Sequence, residues 1–406
     1  MKHKLVFSSL LLALSLASAP TARAITTWYV DGAHGSDSNN CTSSQTACKT
    51  IGHAIALAHS GDSIMVAAAT YKENLNIGFS LNVLGSGAGT PIIDGGGVNT
   101  VITVSSANAH VSLSKLIVQN GFAKFGGGIN NSGTLAMSNS TITGNTAHFY
   151  GCGGGIYNTG TLIVNSSTIS QNHAVGSLLK PASGGGICNP GGTATINNST
   201  LSGNYALAAG GGIQSGGTLT INNSTISGNM TLSTAASAIS GGSGITINNS
   251  TISGNTHQNG LGCSIGGSGM TLSNTTISGN VAGNGYVVLC ATASLQNSII
   301  ANNSGGNCGS GVVSKGYNLS SDSSCNFSNS GDRNNTDPKL GPLQNNGGPT
   351  LTMALPSGSP AVDAGNPSGC KDGQGHLLTT DQRGMPRPDK EDTGGCDMGA
   401  YERQSD

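Results

Sequence analysis

Groups able to move a proton are scarce through the middle of this chain. Between Asp94 and Asp322 there is no Asp or Glu, and between Arg23 and Arg333 there is no Arg. The charges that remain there are Lys115, Lys124, Lys180 and Lys315, with His148, His173 and His257 as candidate bases. Polysaccharide β-elimination needs a cation held by carboxylates and a base to take the proton α to a carboxylate. Glycoside hydrolysis needs two carboxylic acids straddling the bond. Neither set can be assembled from this stretch. The three histidines share no repeat position and no acidic partner, so each reads as a polar side chain before it reads as a base. The acids that could work lie toward the ends: Asp62, Glu73 and Asp94 on one side, Asp363 and Asp381 with Arg383 on the other. Asp62 and Glu73 read first as turn or cap residues.

A second chemistry open to these residues is ring stacking on sugar faces. His148, Tyr150, Tyr205, His257 and Tyr286 fall where the repeat varies in length; they are the candidate ligand contacts, the other reading being that these loops shield the coil edge. Insertions in a solenoid collect on one edge, often the binding edge.

The repeat positions these residues. Gly126-Gly127-Gly128-Ile129 opens a unit that passes through Thr134-Leu135-Ala136-Met137 and closes at Ser140-Thr141-Ile142-Thr143-Gly144-Asn145. Copies close at Asn172, Asn204, Asn229, Asn255, Asn280 and Asn303. The marker residues Ile142, Ile169, Leu201, Ile226, Ile252, Ile277 and Ile300 are 27, 32, 25, 26, 25 and 23 residues apart. Within a unit the apolar period is two, which is strand chemistry. Leu135, Leu162, Ala194, Leu219, Ile245, Met270 and Ala293 precede the marker at one fixed offset; Met137, Val164, Ile196, Ile221, Ile247, Leu272 and Leu295 do so at another. Fixed offsets stack like on like, one coil above the next at about 4.8 Å. The expected fold is all-β: a single-stranded right-handed parallel β-helix of three sheets from about residue 60 to 303, with an N-terminal cap and an irregular C-terminal cap domain. The closing asparagines predict a ladder, with left-handed backbone at the asparagine itself. Thr50 to His59 predicts a short capping helix. On this plan the acids at the two ends stand roughly ten coils apart.

The G-G-G-I and I-S-G-N pairs resemble the repeat of the polymorphic outer membrane proteins, whose passenger regions are surface β-helices. Trp28-Tyr29-Val30-Asp31, Cys48-Lys49-Thr50-Ile51, Gly61-Asp62-Ser63-Ile64 and Thr70-Tyr71-Lys72-Glu73 resemble the entry segment of pectate-lyase-like β-helix proteins. Asp337-Pro338-Lys339-Leu340-Gly341-Pro342-Leu343, Ser359-Pro360-Ala361-Val362-Asp363-Ala364-Gly365, Asp381-Gln382-Arg383-Gly384 and Cys396-Asp397-Met398-Gly399-Ala400-Tyr401-Glu402 resemble the choice-of-anchor Q domain of exported bacterial proteins. That resemblance implies a secreted or surface location, not a reaction.

Composition narrows the rest. Charged residues are 8% of the chain, aromatics 4%, and Gly accounts for 65 of 406 positions. Lys2 and Lys4, the apolar run Leu5 to Ala17 and the small-x-small site Ala22-Arg23-Ala24 read as a signal peptide. No later segment reads as a transmembrane span. Without the leader, 13 basic residues face 17 acidic ones, which disfavours nucleic acid as a partner. Ten cysteines in an exported chain predict disulfides in local pairs: Cys41 with Cys48, Cys152 with Cys188, Cys263 with Cys290, Cys308 with Cys325 and Cys370 with Cys396. None has zinc-knuckle spacing, and neither metal nor cofactor is expected. The expected division is a leader at 1–24, cap and first coils at 25–100, helix repeats at 101–303 and the anchor-like domain at 304–406. Two functions stay open. One is a non-catalytic surface protein, adhesive or glycan-binding. The other is a polysaccharide lyase or glycoside hydrolase working from the two ends. The missing central acids favour the first.

Overall fold

The computed structural model describes residues 23–177, 179, 181–232, 235–259, 262–283, 287–390 and 395–405. Nearly all of the expected leader, Lys180 and Tyr286 lie outside them.

Three long parallel sheets run the length of one solenoid, each in chain order. The first strands of the coils form a ten-stranded sheet, from Leu75–Ile77 to Gly306–Cys308. The second strands form a twelve-stranded sheet, from Thr27–Val30 to Val312–Ser314, and the third strands an eleven-stranded one, from Thr70–Lys72 to Leu319–Ser320. The order implies a right-handed winding, the hand that parallel crossovers take. Register follows the repeat: Ile129 pairs with Ile156, Leu135 with Leu162, Met137 with Val164 and Ile142 with Ile169, all buried. Each apolar side chain rests on its equivalents above and below, so no coil is stable alone.

Two features go beyond the expected plan. A narrower fourth sheet of six strands, from Phe122–Phe125 to Thr256–His257, occupies the variable segment between the closing Asn and the next G-G-G-I. The coils also overrun 60–303. Thr27–Val30 pairs with Ser63–Val66, and strands after Asn303 add another coil.

The closing asparagines form a buried ladder. Asn145 Nδ2 donates to Asn172 Oδ1 at 3.0 Å, and Asn172 to Asn204 at 3.1 Å. The row continues through Asn229, Asn255 and Asn280 to Asn303. The left-handed residue is the one before each asparagine, not the asparagine: Gly144 (φ 64°), Gln171 (φ 57°) and Gly203 (φ 62°). The ladder also explains the third glycine of G-G-G-I. A Cβ at Gly128 would lie 2.7 Å from Gly155 O and 2.9 Å from Asn145 Nδ2, so the chain can cross the asparagine only as glycine.

At the N-terminal end the helix Ile51–Leu57 covers the first coils and buries Ile51, Ala54 and Ile55. Thr50 caps it by accepting from His53 N, and Glu73 accepts from Ile51 N at 2.9 Å and Gly52 N at 2.7 Å. Asp62 is buried and accepts from Thr26 N, Trp28 Nε1 and His59 N. Burial opposes its charge, but these donors, with the Arg23 guanidinium at 3.4 Å, hold its carboxyl down to about 2. Both acids therefore serve the cap.

The C-terminal segment does not extend the solenoid away from the N-terminus. It turns back along the outside of the third-strand sheet. Thr251 Oγ1 donates to Gln382 Oε1 at 2.6 Å, Arg387 donates to Asn249 Oδ1 at 2.9 Å, and Ala400 N donates to Thr276 Oγ1 at 3.0 Å. Gln382 Nε2 reaches Thr225 Oγ1 at 2.9 Å, so Asp381 stands five coils from Asp94 along that sheet, not ten. Asp381 with Arg383 and Glu402 with Arg387 are buried ion pairs at 2.7 Å. Burial pushes Glu402 up to about 7 against the pull of Arg387. The ten cysteines pair as neighbours along the chain: Cys41–Cys48, Cys152–Cys188, Cys263–Cys290, Cys308–Cys325 and Cys370–Cys396. Among the described residues no helix is long and apolar enough to cross a membrane.

Candidate functional site

The fourth sheet begins irregularly. Phe122 pairs with Thr146 and Ala123 with Ala147, but Phe125 pairs with Cys152, so His148 to Gly151 bulges outward. Phe149 (φ 41°) and Tyr150 (φ 53°) hold left-handed backbone at the tip of the bulge. Bulky residues adopt that conformation at a cost of about 1–3 kcal/mol each, and strain of this kind collects at functional sites. The effect is exposure: Phe149 is 58% and Tyr150 57% accessible. Tyr150 is steadied by its hydroxyl, which donates to Leu179 O at 2.6 Å.

The rings contact one another in three groups along this edge. His148 stacks on Phe122 with centroids 4.5 Å apart and planes 18° from parallel. Phe149 meets His148 edge-on at 5.2 Å. Phe125 lies 4.9 Å from Tyr157, with the Lys124 ammonium 5.1 Å from the Phe125 centroid. One coil further on, His173 and Tyr205 pair in register with rings 6.1 Å apart. Burial pushes the Tyr205 hydroxyl up, so it stays a neutral phenol near neutral pH.

Phe122 is also a wall of an open cleft of about 440 Å³, lined with Lys72, Asp94, Asn120 and Thr146. Asp94 accepts from Asn120 Nδ2 at 2.7 Å, Gln119 Nε2 at 3.0 Å and Gly96 N at 2.9 Å. Burial works against its charge, yet these donors and Lys72 keep it below the usual carboxylate range. An acid held ionised is a poor proton donor. Asp94 is also the one carboxylate among the lining residues, so the cleft offers stacking and hydrogen bonds but no acid–base pair.

Of the residues expected to contact ligand, His148, Tyr150 and Tyr205 lie along this edge. His257 does not reach it. It is buried, with Nδ1 3.0 Å from Thr231 Oγ1 and Nε2 bonded to Cys263 O, so it braces the coil. Tyr286 lies outside the described residues. Phe122, Phe125 and Tyr157 belong to the edge and were not singled out by repeat length. Their clustering was the available signal: with aromatics at 4% of the chain, five rings fall between Phe122 and Tyr157. Among the described residues Cys41, Cys48 and His53 bring three ligand-type atoms within 4.8 Å, but the two sulfurs are bonded to each other.

No known family model matches this sequence, and no curated protein matches it. Among solved structures, the chain is similar to pectate lyase Pel9A at 16% identity, over 94% of this chain and 97% of that one, with a TM-score of 0.55. A rhamnogalacturonan lyase matches at 12% identity over 82% and 96% of the two chains, TM-score 0.49. Pectin methylesterase PemA from Erwinia chrysanthemi matches at 15% over 63% and 80%, TM-score 0.35. The likeness to Pel9A shows a shared parallel β-helix; at such identity it assigns no residue a role.

Proposed function

We propose that this is an exported, non-catalytic glycan-binding protein that docks sugar rings on the aromatic edge of its fourth sheet. The observation that carries the reading is the exposed run Phe125, Phe149 and Tyr150 beside the Phe122–His148 stack. Phe149 and Tyr150 hold left-handed backbone and still face solvent, and clustered exposed rings of this kind mark interaction surfaces. Sugar faces are apolar on one side and hydroxylated at the rim, which suits rings flanked by Asn120, Lys72 and Asp94. The likeness to a pectate lyase supports polysaccharide as the ligand class to test. Its acid chemistry is not carried over, because the lining of the cleft has a single carboxylate. The leader-like N-terminus and the five disulfides support export. In the same reading residues 304–406 form the anchor-like domain behind 1–24, 25–100 and 101–303, and the protein is secreted or stands at a bacterial cell surface.

A glycan array, with reducing ends and unsaturated products measured on every hit, tests this directly. Phe149→Ala with Tyr150→Ala is expected to weaken glycan binding at least about tenfold while leaving the melting temperature unchanged. Steady polysaccharide turnover that disappears in Asp94→Asn would instead establish the lyase or hydrolase alternative.

A further inference from the structure

A second row of asparagines lies on the outside of the molecule. Asn165, Asn197, Asn222 and Asn248 end successive strands of the second-strand sheet with their side chains outward. Asn197 Nδ2 donates to Asn165 Oδ1 at 2.9 Å, Asn222 to Asn197 at 2.9 Å and Asn248 to Asn222 at 3.0 Å. With the bend residues Asn198, Asn223 and Asn249 they floor a cleft of about 400 Å³, walled by Asp372 and Leu378. Four coils set its length at roughly 15 Å along the axis.

The chemistry of the floor is specific. A side-chain amide has two N–H donors and two lone pairs. Along the outer row Asn197 and Asn222 each use one donor and one lone pair on their neighbours, which leaves one of each facing the cleft. A donor beside an acceptor is the complement of a hydroxyl group, presented here at the two middle rungs, Asn197 and Asn222. Asparagine is a poor strand residue on propensity alone, and at this outward position it forms a ladder that leaves part of each middle amide open to the cleft. The wall is preformed. Gly373 N donates to Asn248 Oδ1 at 2.8 Å, Asn274 Nδ2 donates to Lys371 O at 2.7 Å, and the Cys370–Cys396 disulfide ties the hairpin down. Among the described residues no lysine or arginine lines the cleft, and Asp372 stands at its rim with His376 Nδ1 3.0 Å away.

We propose that this cleft binds a neutral, hydroxyl-rich glycan strand laid along the helix axis, as a site separate from the aromatic edge. A uronate chain would bring its carboxylates against Asp372, whose one ion-pair partner among the described residues is His376 Nδ1 at 3.0 Å, and an apolar peptide or lipid would meet a floor of amides. Leu378 supplies one apolar contact for the C–H face of a sugar.

The test is titration of the full mature chain with arabinoxylan, galactomannan and mixed-linkage β-glucan, with polygalacturonate as the charged comparison. The inference requires at least one neutral polymer to bind, and Asn197→Ala with Asn222→Ala to weaken that binding about tenfold or more at unchanged circular dichroism. Asn222→Asp is expected to weaken it as well, by adding charge without changing size. Phe149→Ala with Tyr150→Ala is to leave it intact. No binding to any of the three neutral polymers, or binding that survives the asparagine pair, overturns the proposal. Loss of all binding with the aromatic pair alone also overturns it, but leaves the aromatic-edge reading standing. Binding of every polymer that survives the aromatic pair and is lost only with the asparagine pair counts against the aromatic-edge reading alone.

Discussion

Asparagine runs through this molecule twice, and the two rows do opposite things. In the inner row Asn204 Nδ2 donates to Ile169 O at 2.9 Å and to Asn229 Oδ1 at 3.0 Å, while its Oδ1 accepts from Asn172 N and Asn172 Nδ2. All four of its hydrogen-bonding positions are filled, and it is fully buried. In the outer row Asn222 fills two, and its amide meets solvent. Residue type and repeat period are the same; the side of the chain on which the residue falls decides the role. A neutral amide can be buried as a ladder without penalty once every donor and acceptor is paired. A carboxylate in that place could not donate, so the repeat that builds the inner row has no use for acids.

The sharpest way to break the comparison is to remove one member of each row. Asn204→Ala orphans the buried Asn172 N–H, at about 1–3 kcal/mol, takes the second donor from the Ile169 carbonyl and breaks the ladder on both sides, and leaves a cavity besides. We expect a loss of about 3–5 kcal/mol in urea denaturation followed by circular dichroism. A loss under about 1 kcal/mol would mean that the inner row merely fills space.

How much of this could be read from the chain depended on periodicity. The columns headed by Leu135, Met137 and Ile142 were legible because one apolar residue recurs at a fixed offset, and strand pairing makes equal offsets equal positions. The inner asparagines were legible for the same reason, although Gly144 and its equivalents, not the asparagines, take the left-handed backbone. The fourth sheet was not legible, because segments of unequal length erase the period. The return of the C-terminal segment was not legible either: Gln382 meets Thr225 across 157 residues with no repeat to announce it. The outer row hid in Asn197-Asn198 and Asn222-Asn223, where paired asparagines read as a turn. In each pair the first residue still belongs to the strand and only the second makes the bend. At the aromatic edge His148 and Tyr150 showed through loop length, while Phe122 and Phe125 sat unnoticed ahead of Gly126.

The comparison also says where pH can act. Neither ladder carries an ionisable group, so acid sensitivity belongs to the ends. Asp62 has its folded carboxyl near 2, below the unfolded value of 3.8. Its contribution is therefore present above about pH 4 and is lost as pH falls from there toward 2. We expect about 1–2 kcal/mol from this one group. Melting temperatures at pH 5 and pH 2.5 should fall further in the native chain than in Asp62→Asn, which has already lost the charge. Equal falls would assign the acid response to other carboxylates.

The smallest effect is expected where the outer row is cut. Asn222→Ala removes one hydrogen bond to the half-exposed Asn197 and one from the buried Asn248, and water entering from the cleft replaces both. It opens no cavity, since the apolar core lies on the other face of the strand, where Ile221 is fully buried. Alanine and asparagine are both weak strand formers, so propensity changes little. The expected change is under about 0.5 kcal/mol, read by the same urea titration that reports the large loss for Asn204→Ala. Asn222→Thr should even raise stability slightly, because threonine suits an outward strand position and already fills the neighbouring column at Thr220. If Asn222→Ala instead cost more than about 1.5 kcal/mol, the outer row would be holding the coils together as the inner one does. Its free donors and lone pairs would then be a by-product of structure, and the contrast between the two rows would fail on stability before any glycan was tested.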